Sequence, residues 1–124
     1  MDAKELKRRT KDFAHRCVKL CLALPEDYLC HHIRKQLIRS STSVACNYRA
    51  VCIAQSKADF VSKLSIVIEE ADESCFWMEF IVEEQLMEEG QVLSLLKEGR
   101  ELSANFVASR KTIRDRNEEF ALKE

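Results

Sequence analysis

The chain of 124 residues is long enough for one domain with its own hydrophobic core. Its 46% of hydrophobic and 33% of charged residues are accompanied by two glycines and one proline. Because β-sheet and α/β folds need glycine and proline at many turns, this composition excludes them and predicts an all-α protein. The formal net charge of −1 divides into +7 for residues 1–63 and −8 for residues 64–124.

The first half of the chain predicts two helices, over residues 3–24 and 26–54. Pro25 separates them, because the residue before a proline is disfavoured in the α region. Glu26 and Asp27 then suit the positive end of the second helix dipole. Apolar spacings of three and four residues mark the inward faces. On the first helix these positions are Leu6, Thr10, Phe13, Cys17, Leu20 and Leu24; on the second they are Ile33, Leu37, Ser40, Val44, Asn47 and Val51.

The second half predicts helices over residues 57–87 and 92–118. Ser56, with Asp59 three residues later, is typical of a helix N-cap, and Gly90 is expected to end the third helix. Gly99 on the inward face of the fourth helix predicts a close approach of a neighbouring helix. The other inward positions are Phe60, Leu64, Val67, Ala71, Ser74, Met78 and Ile81, then Val92, Leu95, Leu102, Phe106, Ile113 and Phe120.

Short connections between four such helices predict an antiparallel up-down-up-down four-helix bundle that includes residues 1–124 as one domain. No apolar run approaches the roughly 20 residues that cross a bilayer, and the first residues lack the apolar core of a secretory leader. We therefore expect no membrane association and a cytoplasmic location. The six cysteines are expected to stay reduced there and to pack as small hydrophobic residues.

The residues that usually mark catalysis or metal binding are not arranged in any recognised spacing. The sequence has no Glu-x-x-His pair of a di-iron bundle, no Cys-x-x-Cys zinc motif and no phosphate-binding glycine loop. No Ser, Cys or His is spaced as a nucleophile with its base. We expect no metal, no other cofactor and no enzymatic activity.

Basic residues are concentrated on the first two predicted helices. On the first, Lys4, Lys7, Arg8 and Lys11 share one face. If the two helices are neighbours, we expect these residues to join cations of the second helix in a patch for nucleic-acid phosphates, without sequence preference. The alternative is an ordinary solvated face. The cations that the second helix contributes are Arg34, Lys35, Arg39 and Arg49.

Polar residues also interrupt the inward face of the second helix. Small hydroxyl side chains let a neighbouring helix approach, whereas a buried Asn47 would need partners such as Glu70, Glu73 or Ser74 on the third helix. Two interpretations stay open: a buried network that fixes helix register, or a binding site for a small ligand or a protein partner. The predicted cluster comprises Arg39, Ser40, Ser43, Asn47, Glu70, Glu73 and Ser74.

The third helix is apolar nearly all round between Cys75 and Val82. One apolar stripe is enough for a helix in a monomeric bundle, so burial on a second side indicates a partner. Because most soluble oligomers consist of identical subunits, we expect self-association. Phe76, Trp77 and Phe80 are the predicted interface residues.

Three motifs between residues 36 and 77 carry a resemblance to a known family. In this chain they read QLIRSSTSVACN, SKADFVSKL and EADESCFW. They resemble the bacterial four-helix-bundle proteins that include the proteins encoded within 23S rRNA intervening sequences. The matching residues are Gln36, Leu37, Arg39, Ser43, Val44, Asn47, Ser56, Asp59, Phe60, Lys63, Leu64, Glu70, Glu73, Ser74, Phe76 and Trp77.

The resemblance implies an up-down bundle that assembles into a homopentamer. The chain is also distantly similar to the accessory variability protein of diversity-generating retroelements, which implies a nucleic acid or a reverse transcriptase as partner. Together these features predict a non-enzymatic oligomeric scaffold. Its basic helices would bind structured RNA, DNA, or a nucleic-acid enzyme. The alternative is a module that binds its ligand or protein partner at the polar cluster.

Overall fold

The computed structural model describes residues 2–116, which contain four α-helices and, within that range, no strand. α1 spans Ala3–Leu22, α2 Tyr28–Val51, α3 Lys57–Glu83 and α4 Glu89–Arg114. Each helix packs against the next one, and α1 makes a less extensive contact with α4. The predicted all-α, up-down-up-down four-helix bundle is therefore confirmed.

The core lies where the apolar periodicity predicts it. Every inward position of α1 and α3 is buried, and on α2 only Asn47 is partly exposed. On α4 the buried positions run from Val92 to Phe106, while Ile113 is partly buried. Phe120 lies outside the described residues. Helical spacing thus selected the faces that this bundle buries.

Side chains cap the first three helices. Asp2, Asp27 and Ser56 each accept a hydrogen bond from the backbone N–H three residues later, at 2.8, 2.8 and 3.0 Å. The predicted cap at Ser56 is confirmed. α2 begins at Tyr28, two residues later than predicted, because Asp27 takes an extended conformation as its N-cap.

The predicted end of α3 is wrong. The helix ends at Glu83 rather than near residue 87, and Gln85 adopts a left-handed φ of 54°. The N–H of Leu86 donates to the carbonyl of Ile81 (3.1 Å), and that of Gln85 donates to the carbonyl of Val82 (3.0 Å). This is the Schellman arrangement, with a glutamine where glycine is usual. An apolar residue usually follows the left-handed position, and here Leu86 packs partly buried against the core.

Gly90, predicted to end α3, instead lies in the first turn of α4. Because α3 ends four residues earlier than predicted, α4 begins at Glu89, three residues earlier than predicted. Gly99 meets the prediction of a close approach: a Cβ there would lie 2.9 Å from Cys75 Sγ and 3.2 Å from Phe13 Cε1. Because α1, α3 and α4 converge on this backbone, a hydrogen atom is all that fits.

Candidate functional site

A groove between α1 and α2 is the best candidate for a binding site. The antiparallel packing sets the first half of α1 beside the last half of α2. The groove has a volume of about 570 Å³. Ten described residues line it, none of them acidic: Lys7, Arg8, Lys11, Ala14, His15, Val18, Thr42, Ala45, Cys46 and Arg49. We call this the α1/α2 groove.

Three of its cations have no partner within the described residues. Lys7, Lys11 and Arg49 are exposed, and none of their side chains forms a hydrogen bond or ion pair with another residue in the range 2–116. Lys4, one turn before Lys7, is also exposed and lines an adjoining cleft with Lys7 and Cys52. Cations without an internal carboxylate are free to neutralise phosphates on an external ligand.

Arg8 is a different kind of cation, because two carboxylates already bind it. Its Nε donates to Glu5 at 3.1 Å and its Nη1 to Asp12 at 2.9 Å. The hydrogen bonds from Arg8 hold the pKa of the Glu5 carboxyl below its ordinary value. The positive charge of Arg8 is therefore offset on the surface of α1 itself.

Arg34 and Lys35 lie at the other end of the bundle, so the expected single patch is not formed. The Arg34 side chain is 14% exposed and donates to the backbone carbonyls of Cys21 (3.1 Å), Leu24 (3.1 Å) and Pro25 (3.2 Å). Arg34 thereby provides a donor for the Leu24 and Pro25 carbonyls that follow α1, whereas the Cys21 carbonyl also accepts from the backbone N–H of Leu24 at 3.2 Å. At 1.5 Å per residue, this end is roughly 20 Å from Lys7 along α1.

Arg39 belongs to the polar cluster rather than to the groove. It bridges α2 and α3 through ion pairs with Glu70, at 3.2 Å, and with Glu73. Beneath it, the buried hydroxyls of Ser40 and Ser74 lie 2.9 Å apart, and Ser74 also donates to the carbonyl of Glu70. These contacts tie the middle of α2 to the middle of α3.

Asn47 does not reach α3, contrary to expectation. Its amide donates to the carbonyl and the hydroxyl of Ser43, at 2.9 and 2.8 Å, both within α2. The partly exposed position of Asn47 explains this, since an amide at the bundle surface needs no partner on the facing helix. Ser43 and Asn47 are thus a local pair, separate from the hydroxyl contact in the core.

An aromatic cluster lies beside these polar residues. Trp77 makes edge contacts with His32, Phe76 and Phe80, with ring centroids 5.5, 5.0 and 6.0 Å apart. Its indole N–H donates to Glu73 at 3.3 Å, which links it to Arg39. Phe76 is half exposed, and Tyr28, one turn before His32, is 92% exposed. Sequence reasoning missed His32 and Tyr28, although their spacing of four places them on one face of α2.

The cysteines offer no activated nucleophile in the interior. All six are free, and five are buried. Burial raises the pKa of the Cys17, Cys21 and Cys75 thiols, for the last two to about 11. Cys46, in the α1/α2 groove, is the exposed one. Within residues 2–116, no three His, Cys, Asp or Glu side chains are grouped to hold a metal ion, and no helix could cross a membrane.

The fold and this site define a four-helix bundle with a cationic groove between its first two helices. The sequence pattern of the 23S rRNA-intervening sequence proteins matches residues 4–108. The chain belongs to this family. Neither this match nor the structural one below concerns retroelement proteins, so that similarity stays a prediction.

A solved structure supports the same assignment. It is a protein of unknown function from the S23 ribosomal protein family of Bacteroides thetaiotaomicron VPI-5482. The two chains are 30% identical and superpose with a TM-score of 0.80, covering 90% of this chain and 99% of the other. Neither description names an enzymatic activity. A comparison with curated proteins finds no match.

Proposed function

We propose that this chain is a non-enzymatic scaffold that binds structured RNA through the α1/α2 groove, as an oligomer in the cytoplasm. The observation that carries the proposal is a trio of cations on both rims of one groove, Lys7, Lys11 and Arg49, whose side chains have no partner among residues 2–116. In the described part of the chain, no acidic residue lines the groove to compete with a phosphate. Membership of a family named for an rRNA intervening sequence favours RNA over other polyanions.

Tight binding of RNA needs several copies of this groove in one assembly. Three phosphate contacts give a weak, salt-dependent attraction that a single subunit cannot turn into high affinity. We propose that Phe76, Trp77 and Phe80, with His32 and Tyr28, pack against a second copy in a homo-oligomer, a pentamer by family resemblance. Linked copies raise the overall affinity through the effective concentration of the remaining grooves.

The polar cluster has a structural role in this proposal. Arg39 donates to both Glu70 and Glu73, and the Ser40 and Ser74 hydroxyls pair in the core. Such contacts fix the register of α2 on α3, and they orient Trp77 through Glu73. They therefore support the register interpretation over a ligand site.

Charge reversal tests the groove directly. Lys7→Glu, Lys11→Glu and Arg49→Glu are combined in one variant. A matched control reverses three exposed lysines outside the groove: Lys19, Lys97 and Lys111. Binding of a structured RNA is followed by fluorescence anisotropy across a salt series, and mass by light scattering.

We expect the groove variant to lose RNA affinity by more than about tenfold at low salt, with a smaller salt slope. The control changes net charge equally and should lose much less. Both variants should keep the wild-type mass, because neither alters the aromatic cluster. Equal losses in the two variants, or no loss in either, would contradict the proposed groove.

A further inference from the structure

The floor of the α1/α2 groove is apolar, which phosphate binding alone does not require. Ala14, Val18 and Ala45 line it below the cationic rims, and most of its exposed lining is apolar. Phosphates are bound by exposed cations on a convex surface equally well. A cleft of about 570 Å³ is in the size range of small-molecule sites, roughly 300–1,000 Å³.

The polar groups around this floor match the edge and backbone of a nucleotide. His15, Thr42 and Cys46 provide ring nitrogen, hydroxyl and thiol groups beside the apolar residues. The Thr42 hydroxyl donates to the carbonyls of Ile38 and Arg39, so it serves the ligand as an acceptor. Lys7 and Lys11 lie on one rim and Arg49 on the other. A planar base between the rims would therefore place its phosphates next to Lys7 and Lys11 or next to Arg49. This holds for either direction of the RNA strand across the groove.

Resting on the proposed RNA function, we infer that the groove binds an unpaired nucleotide, with its base on Ala14, Val18 and Ala45 and its phosphates on Lys7, Lys11 and Arg49. RNA-binding proteins commonly take up bases splayed from loops and bulges. An acidic partner helix fits less well. It would present backbone and side chains rather than one planar ring and a phosphate to the groove, and the experiments below distinguish it from RNA.

Two RNAs separate this inference from phosphate binding in general. One is a fully paired hairpin stem, and the other is the same stem with a single bulged adenosine. We expect the full-length protein to bind the bulged RNA about tenfold more tightly, the scale of burying roughly 60 Å² of apolar surface at about 25 cal/mol per Å². A fluorescent adenine analogue at the bulge should change its emission on binding.

A groove-filling substitution locates the base. Ala45→Leu occupies the floor, whereas Ala104→Leu makes the same change at an exposed position of α4. We expect Ala45→Leu to abolish the preference for the bulged RNA and to keep the weaker binding of the paired stem. Ala104→Leu should behave as wild type. Circular dichroism checks that both variants fold.

Cys46 provides a readout that needs no substitution. It is the exposed cysteine of the six, so alkylation of the native protein reports on this groove. At RNA concentrations that give equal occupancy, the bulged RNA should slow the reaction more than the paired stem does. Mass spectrometry of the peptide that contains Cys46 quantifies the protection.

The possible results distinguish the two proposals. If both RNAs bind equally, or Ala45→Leu keeps the preference, the inference is wrong while the proposed function stands. If neither RNA binds at low salt, both proposals are wrong. If an acidic helical peptide protects Cys46 and neither RNA does, the groove is a protein-binding site and the inference is overturned.

Discussion

Gly99→Ala tests whether three helices really converge on the backbone of α4. The new methyl group would lie 2.9 Å from Cys75 Sγ and 3.2 Å from Phe13 Cε1, closer than van der Waals contact allows. Cys75 is 6% and Phe13 1% exposed, so neither can move aside into solvent. Alanine gains about 1 kcal/mol of helix propensity over glycine, whereas overpacking a core costs about 1–3 kcal/mol.

Because the methyl group meets two buried side chains from different helices, we place the packing cost in the upper part of that range. The free energy of unfolding should fall by about 1–2 kcal/mol despite the better propensity. Urea unfolding followed by far-UV circular dichroism measures it. Gly90→Ala is the matched control, since its Cβ would meet nothing within 4 Å. This control should be neutral or stabilise by up to about 1 kcal/mol.

Cys75→Ala provides the second arm of a double-mutant cycle. Removing the sulfur opens the shorter of the two contacts, so Gly99→Ala should cost less in that background than in the wild type. The Phe13 contact persists, and the rescue should therefore be partial. A Gly99→Ala protein that gains stability as Gly90→Ala does would refute the convergence of α1, α3 and α4 at this point.

Three further predictions concern the helix ends. Gln85→Gly should stabilise the protein by about 1 kcal/mol, because glycine adopts the left-handed φ without the steric penalty of a Cβ; a lower urea midpoint would count against the Schellman turn. Arg34→Ala should cost about 1.5–3 kcal/mol by removing the donor of the Leu24 and Pro25 carbonyls, whereas exposed Lys35→Ala should stay within about 0.5 kcal/mol; equal midpoints for the two variants would contradict this role. Asp27 accepts a hydrogen bond from the N–H of Cys30, which lowers its pKa below the ordinary 3.8. Its stabilisation is therefore complete above that value and lost as pH falls through the lower folded pKa. Asp27→Asn keeps the cap acceptor without the titration, so its stability should decline less steeply in acid; parallel pH profiles would exclude this contribution.

The spacing of apolar residues predicts the buried faces because an amphipathic helix packs its one apolar face against the core. The inward positions of α1 and α3 follow from that rule alone, as does the cap at Ser56. Gly99 could also be interpreted from sequence, since a glycine on an inward stripe costs helix propensity and needs a packing reason. The end of α3 could not, because the left-handed residue is Gln85 while a glycine stands five residues later.

The candidate groove was only partly predictable. Lys4, Lys7 and Lys11 share a face by spacing alone, so the sequence indicates a basic side of α1. Whether a given cation is free depends on what the neighbouring helix places opposite it. Arg34 donates to carbonyls at the end of α1, and Arg39 forms ion pairs with carboxylates of α3, so neither cation is available to a ligand in the groove.

Sequence by itself determined the all-α class, the four helices and their buried faces, because these depend on contacts between residues three and four apart. Only the antiparallel packing of α1 and α2 places Arg49 across one groove from Lys7 and Lys11. The same packing puts Arg34 at the other end of the bundle, away from this groove. That packing brings together residues about 40 positions apart, and local periodicity carries no information about such distances.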